Sequence, residues 1–223
     1  MSRSFRILGL LLVTAGFAYA LAMSSSLPDR VPSHWDASGR VNGTMGKPWG
    51  VFIVPIVMAL LWLLFQVLPR MSPRGFEMDS FAGAWGVMTV AVLGFLLFVE
   101  VLTLRAARTA ASLPPNFIFV GIGALFAVIG ATLGKVRRNF FAGIRTPWTL
   151  ASEEVWNRTH RLASKVFVGA GLAVVAAALL GLGWWTPLAA LLLGALIPVI
   201  YSYVIYQRLH PRVPSGGRAG PLG

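Results

Sequence analysis

The chain has 223 residues, 57% of them hydrophobic and 12% charged, with a mean hydropathy of +0.74. A water-soluble domain carries roughly 25% charged residues, so this supply is too small to cover a solvated surface and lipid must cover part of it. The absence of cysteine excludes a disulfide framework, a thiolate metal site and a cysteine nucleophile.

A helix needs about 20 mostly apolar residues to cross a hydrocarbon core about 30 Å thick. Segments 7–23, 49–68, 81–104, 117–134, 166–182 and 187–206 meet that requirement. They predict an all-α integral membrane protein of about six transmembrane helices in one bundle. Its sections are 1–68 (two spans and loop 27–48), 69–116 (the third span with its links), 117–206 (three spans and loop 135–162), and a Gly/Pro-rich tail, 207–223, expected to be disordered.

Arg3 and Arg6, an apolar stretch and the small-residue pattern Ala18-Tyr19-Ala20 fit a first span and also a cleavable leader. Either reading leaves the following loop outside. In that loop Pro28 and Pro32 enforce extended chain. Ser38-Gly39 and Asn42-Gly43 are turn pairs, the second suited to a type I′ hairpin. His34 and Asp36 are two candidate metal ligands, too few for a dedicated site, so structural hydrogen bonding is the preferred role. Pro55 and Pro198 lie inside spans and predict kinks.

Glu100 is an acid within the third span, about one turn from its outer end. Such a group is a functional suspect. The preferred alternative has it reach water or pair with Arg105 or Arg108. Gly130 and Gly134 form a GxxxG in the fourth span, and Gly169, Ala173, Ala177 and Gly181 recur every fourth residue in the fifth. Small side chains let helices approach closely in lipid, and packing within the chain is preferred over a dimer face.

Loop 135–162 is the densest in unusual residues. Lys135, Arg137 and Arg138 follow a span directly and should meet lipid phosphates. Thr146-Pro147 breaks the chain, Thr149 or Ser152 can cap a new helix, and Glu153 and Glu154 suit its first turn. On that helix Glu153, Trp156, Asn157, His160 and Ser164 share a face, and Glu154 can pair with Arg158. A carboxylate beside an imidazole could serve acid–base chemistry. An interfacial helix lying against headgroups explains the pattern equally well. No HExxH, GxSxG or P-loop motif is present.

Charge sets the orientation. With the amino terminus inside, inner segments hold 14 of the 19 Lys and Arg residues and outer loops hold 5, so both termini are expected in the cytoplasm. In a soluble protein this excess would suggest nucleic-acid binding. Here it flanks apolar runs, and anionic headgroups, not nucleic acid, are the expected partner. Trp49, Trp184 and Trp185 fall at outer boundaries; Trp85, Tyr203 and Tyr206 fall near inner ones.

The stretch Asn139-Phe-Phe-Ala-Gly-Ile-Arg-Thr-Pro-Trp-Thr-Leu150, with Ser152-Glu-Glu-Val-Trp156 and Thr159-His-Arg161, resembles the SdpI family of bacterial membrane proteins. The outer segment Val31-Pro-Ser-His-Trp-Asp36, with Gly39 and Gly43, resembles the small uncharacterised extracytoplasmic domain that commonly precedes it. The resemblance implies a non-enzymatic immunity or toxin-response protein of the bacterial cell membrane. The family's founding members protect a producing cell from its own membrane-active peptide toxin and draw a cognate transcriptional repressor to the membrane. No cofactor is implied.

On that reading the outer candidates for binding are His34, Trp35, Asp36, Gly39 and Gly43. The inner candidates are Asn139, Gly143, Arg145, Thr146, Pro147, Trp148, Glu153, Glu154, Trp156, His160 and Arg161. Two readings stand against it: a small transporter or lipid-handling protein, hinted at by Pro55, Pro198 and Glu100, and a membrane enzyme using Glu153 or Glu154 with His160.

Overall fold

A computed structural model describes residues 1–36 and 38–211. The elements, in chain order, are α1 (Arg3–Ser24), strands β1 (Arg30–Trp35) and β2 (Val41–Gly46), α2 (Lys47–Val67), α3 (Ala82–Thr109), α4 (Pro115–Leu133), the short α5 (Pro147–Ala151), α6 (Glu153–Leu179) and α7 (Trp185–Leu209). Six of these helices are long and apolar enough to cross a membrane, and the chain is a multi-pass membrane protein. Large apolar side chains such as Leu11, Leu21, Leu60, Leu172 and Ile200 remain exposed along them, as a lipid-facing surface requires.

Local chemistry explains most boundaries. The Ser2 hydroxyl accepts the Phe5 N–H at the start of α1, and the Ser24 and Ser26 hydroxyls donate to the Leu21 and Met23 carbonyls at its end. Prolines open α2, α4 and α5, where a missing N–H costs nothing. The Ser152 side chain caps α6 at the Val155 N–H, with Glu153 and Glu154 in the first turn. Helix α6 then runs unbroken into the fifth span. The separate interfacial helix expected at 153–164 is instead the first turns of that span.

The spanning helices pack as two triplets. Helices α1, α2 and α3 contact one another, α6 packs on both α4 and α7, and α3 joins α4 between the triplets. At one end, Met1, Met78, Phe81, Leu133, Val136, Trp156 and Ala163 form a common core. At the other, Ala20, Met23, Leu27, Val31, Val51 and Leu104 pack together under the strands. The first is termed the loop end, the second the hairpin end.

Between α1 and α2 the all-α bundle carries an antiparallel hairpin, β1–β2. Its turn is Asp36–Gly39, and Asn42-Gly43 lies inside β2. The Asp36 carboxylate gathers the turn's donors and Gly39 takes the positive φ of 81°, which leaves no turn for Asn42-Gly43 to make.

The four-residue stripe of the fifth span does not lie on one face. Four residues rotate about 40° past a full turn, so Gly169 faces open space and Ala173 is exposed, while Ala177 is buried and Gly181 ends beyond the helix with φ 67°. The α4–α6 seam runs instead through Gly123, Ala127 and Gly130 against Phe167, Val168 and Gly171. A Cβ on Gly171 would sit 2.5 Å from the Gly123 carbonyl oxygen. Residues 207–209 of the expected tail continue α7; residues 212–223 lie outside the described residues.

Trp85 also differs from an interfacial anchor. It is buried, and its indole N–H donates to the Phe65 carbonyl at 3.0 Å.

Candidate functional site

At the loop end, the segment between α4 and α6 is tied down by its own polar side chains. Asn139 is fully buried; its amide donates to the Arg137 and Ala142 carbonyls, and its oxygen accepts the Phe141 and Ala142 N–H groups at 2.7 Å each. Gly143 follows with φ 106°, and a Cβ there would lie 2.3 Å from His160 Nε2. Only glycine satisfies both the backbone and the contact.

The turn brings the Ile144 N–H to His160 Nε2 at 3.0 Å, while His160 Nδ1–H donates to the Trp156 carbonyl at 2.9 Å. These two roles fix the neutral tautomer with its proton on Nδ1. The Trp156 and His160 rings stack at 4.0 Å, and the Trp156 indole N–H donates to the Val136 carbonyl at 2.8 Å. Two aromatic residues one turn apart on α6 thus bind the chain on both sides of the Asn139 turn.

Next, Thr146 and Thr149 form a reciprocal capping box over α5, and the Thr149 hydroxyl donates to the Ile144 carbonyl at 2.8 Å. The Trp148 indole N–H donates to the Ser202 hydroxyl on α7, and its ring meets Tyr203 edge-on at 5.3 Å. Arg138 donates to the Leu150 carbonyl at 3.1 Å and lies over the Phe76 ring. Arg145 turns back to the Phe140 carbonyl.

The inner candidates therefore divide. Asn139, Gly143, Thr146, Trp148, Trp156 and His160 build the loop, whereas Arg145, Pro147, Glu153, Glu154 and Arg161 are exposed on it. Glu154 pairs with Arg158 as expected. Both His160 nitrogens are occupied, so neither is free for Glu153 or Glu154, and no acid–base pair assembles. Thr149, expected only as a possible cap for the following helix, instead closes the Thr146 box, and Ser202 was missed. Thr149 had a signal, since a hydroxyl three residues after Thr146 completes a capping box. Ser202 had none, because only the packing of α7 brings it to Trp148.

At the hairpin end, Asp36 organises the turn. Its carboxylate accepts the Ser38 hydroxyl and N–H and the Arg40 N–H and guanidinium. The Ser38 hydroxyl, with the Arg40 N–H, holds this carboxyl well below the usual range. The Leu113 N–H donates to the Gly39 carbonyl at 3.0 Å, docking the turn on the α3–α4 link. A Cβ on Gly39 would meet the Leu113 carbonyl oxygen at 2.3 Å. His34 Nδ1 bonds the Asn42 side chain, and Gly43 lies opposite His34 across the strands. His34 and Asp36 thus serve hydrogen bonding within the hairpin. Val31, 1% exposed, pins the hairpin onto α2 at Gly50.

Beside the hairpin is a cavity of about 400 Å³ walled by His34, Trp35, Val99, Ile118, Phe119 and Trp184. Its lining is overwhelmingly apolar. The Trp35 indole N–H on this wall is buried without a partner.

Glu100 departs from its expected pairing. It is 1% exposed, and both carboxylate oxygens lack a hydrogen-bond partner. Helix α3 continues to Thr109, nine residues beyond it, which sets Glu100 about 13 Å below the helix end. It faces Gly16 on α1, where a Cβ would be 2.9 Å from Oε2. Arg105 and Arg108 are exposed, and the ion pairs among the described residues are Asp36–Arg40 and Glu154–Arg158.

Comparison with known proteins agrees with this division into two ends. Residues 135–202, which contain the loop and the helices holding it, match the SdpI/YfhL protein family. Residues 11–59, which contain the hairpin between α1 and α2, match a domain of unknown function, DUF1648. The chain is 26% identical over 214 residues to the Immunity protein SdpI of Bacillus subtilis (strain 168), covering 92% of this chain and 97% of that relative. No solved structure matches. The chain is a multi-pass cell-membrane protein, similar over residues 135–202 to the SdpI/YfhL family and over residues 11–59 to DUF1648.

Proposed function

We propose that this chain is a non-enzymatic membrane immunity protein that protects its cell from a membrane-active peptide toxin. The observation that carries the reading is the end-to-end similarity to an immunity protein. The cavity beside the hairpin supports it. An apolar recess of this size suits the apolar side chains of a peptide.

The orientation follows the arginine and lysine distribution, with both termini cytoplasmic and the hairpin outside. The loop end then offers Arg145, Pro147, Glu153 and Glu154 to a cytoplasmic repressor. Coupling between the faces requires the toxin to bind one arrangement of the helices better than another. The test is expression in a toxin-sensitive strain. Survival of the host, lost with Val99→Trp filling the cavity, is the expected result. Unchanged killing by every cognate-type peptide would end the immunity reading.

One observation favours a transport or lipid-handling role instead: the buried, unpartnered Glu100. Solute flux into proteoliposomes, abolished by Glu100→Gln, would support that alternative. Absence of flux in the unaltered protein removes it.

A further inference from the structure

The loop end of α6 carries a second feature, on a different face from the Trp156–His160 stack. Arg158, Arg161 and Lys165 follow at three- and four-residue spacings and so share a side of the helix. Tyr201 of α7 faces them across a groove of about 300 Å³ floored by Leu162. Arg158 is neutralised by Glu154. Arg161 and Lys165 are exposed and form no ion pair among the described residues, so the groove keeps two uncompensated positive charges.

Their height along the helix narrows the ligand. Lys165 precedes the end of α6, Leu179, by 14 residues, about 21 Å of helix. A hydrocarbon core is about 30 Å thick. The Lys165 backbone therefore lies within the apolar layer, and its ammonium reaches the headgroup level only along its own stem. Arg161 stands one turn nearer water. One turn deeper on the same side, Gly169 leaves open space where a side chain would stand.

A soluble acidic partner would meet the cations but not the apolar floor below them. A phospholipid supplies both a phosphate and a chain. We propose that this groove is a binding site for an anionic phospholipid, its phosphate held between Arg161 and Lys165 with the Tyr201 hydroxyl donating, and its acyl chain lying along Leu162 toward Gly169. The site is independent of the toxin reading and of which membrane face the loop end occupies.

The test uses the full chain reconstituted with equal phosphatidylglycerol and phosphatidylcholine, with lipid retained after detergent exchange measured by native mass spectrometry. The unaltered protein retains phosphatidylglycerol preferentially. Arg161→Gln with Lys165→Gln lowers that preference roughly thirtyfold, and Tyr201→Phe lowers it less. Lys135→Gln with Arg137→Gln, at the same end but outside the groove, lowers it far less, because their headgroup contacts lack an acyl-chain groove and do not survive detergent exchange.

Equal preference in the groove variant, or an equal loss in the Lys135/Arg137 variant, would overturn the site. Displacement of the retained lipid by millimolar inorganic phosphate would overturn a lipid as occupant. If the double variant does not purify, Arg161→Gln alone and Tyr201→Phe decide, and an unchanged preference in both would overturn the proposal.

Discussion

Replacing Gly143 with alanine adds a methyl group where the structure has none to spare. The Gly143 backbone has φ 106°, and the new Cβ would lie 2.3 Å from His160 Nε2. Holding alanine in that backbone region costs about 1–3 kcal/mol. Relieving the clash requires His160 to leave the Ile144 N–H, and a buried group left unpaired costs a further 1–3 kcal/mol or so. The two together put the loss of unfolding free energy at about 4 kcal/mol. The assay is reversible unfolding of the purified protein in mixed micelles, run as a cycle with His160→Ala. Removing the imidazole removes the clash and leaves only backbone strain, so the double variant should be less destabilised than the sum of the singles by about 1–3 kcal/mol. A loss below about 1 kcal/mol for Gly143→Ala, or strict additivity in the cycle, would refute the reasoning.

Other expectations rest on separate contacts. Asn139→Ala removes all four hydrogen bonds of the turn and should cost about 2–4 kcal/mol, with faster hydrogen exchange at Phe141 and Ala142. Gly171→Val should force α4 and α6 apart and cost about 1–3 kcal/mol in the same unfolding assay, whereas Gly169→Ala, which meets nothing, should be neutral or slightly stabilising. Because the Asp36 carboxyl is held below its ordinary value by Ser38 and Arg40, its contribution is present at neutral pH. It is lost as pH falls below about 4, the unfolded carboxylate value. The unfolding midpoints of the unaltered protein and Asp36→Asn should therefore converge in acid.

What could be read in advance followed from one-dimensional rules. Hydropathy located six spans because lipid leaves few other solutions for apolar runs of that length. Ser152-Glu153-Glu154 announced a helix start because capping depends on neighbours in sequence. The loop motif named Asn139, Gly143, Trp156 and His160, which the fold brings together as the pins of the loop. What escaped depended on rotation and depth. Whether Glu100 faces Arg105 or Gly16 is decided by how α3 turns against α1, and the α4–α6 seam by a crossing that a four-residue repeat does not follow. The hairpin turn was misassigned because Asn42-Gly43 is the stronger local signal. The side-chain bonds of Asp36 and the docking of Gly39 on Leu113 lie in tertiary structure.

The account rests on the hairpin and the loop facing opposite sides of the membrane, and the absence of cysteine makes that directly measurable. Single cysteines placed at Ser33 and at Arg145, both exposed, should react differently with a membrane-impermeant maleimide applied to intact cells. Labelling at position 33 and protection at position 145, relieved on lysis, is the expected outcome. Labelling at 145 with protection at 33 would contradict the proposed orientation and the immunity mechanism built on it.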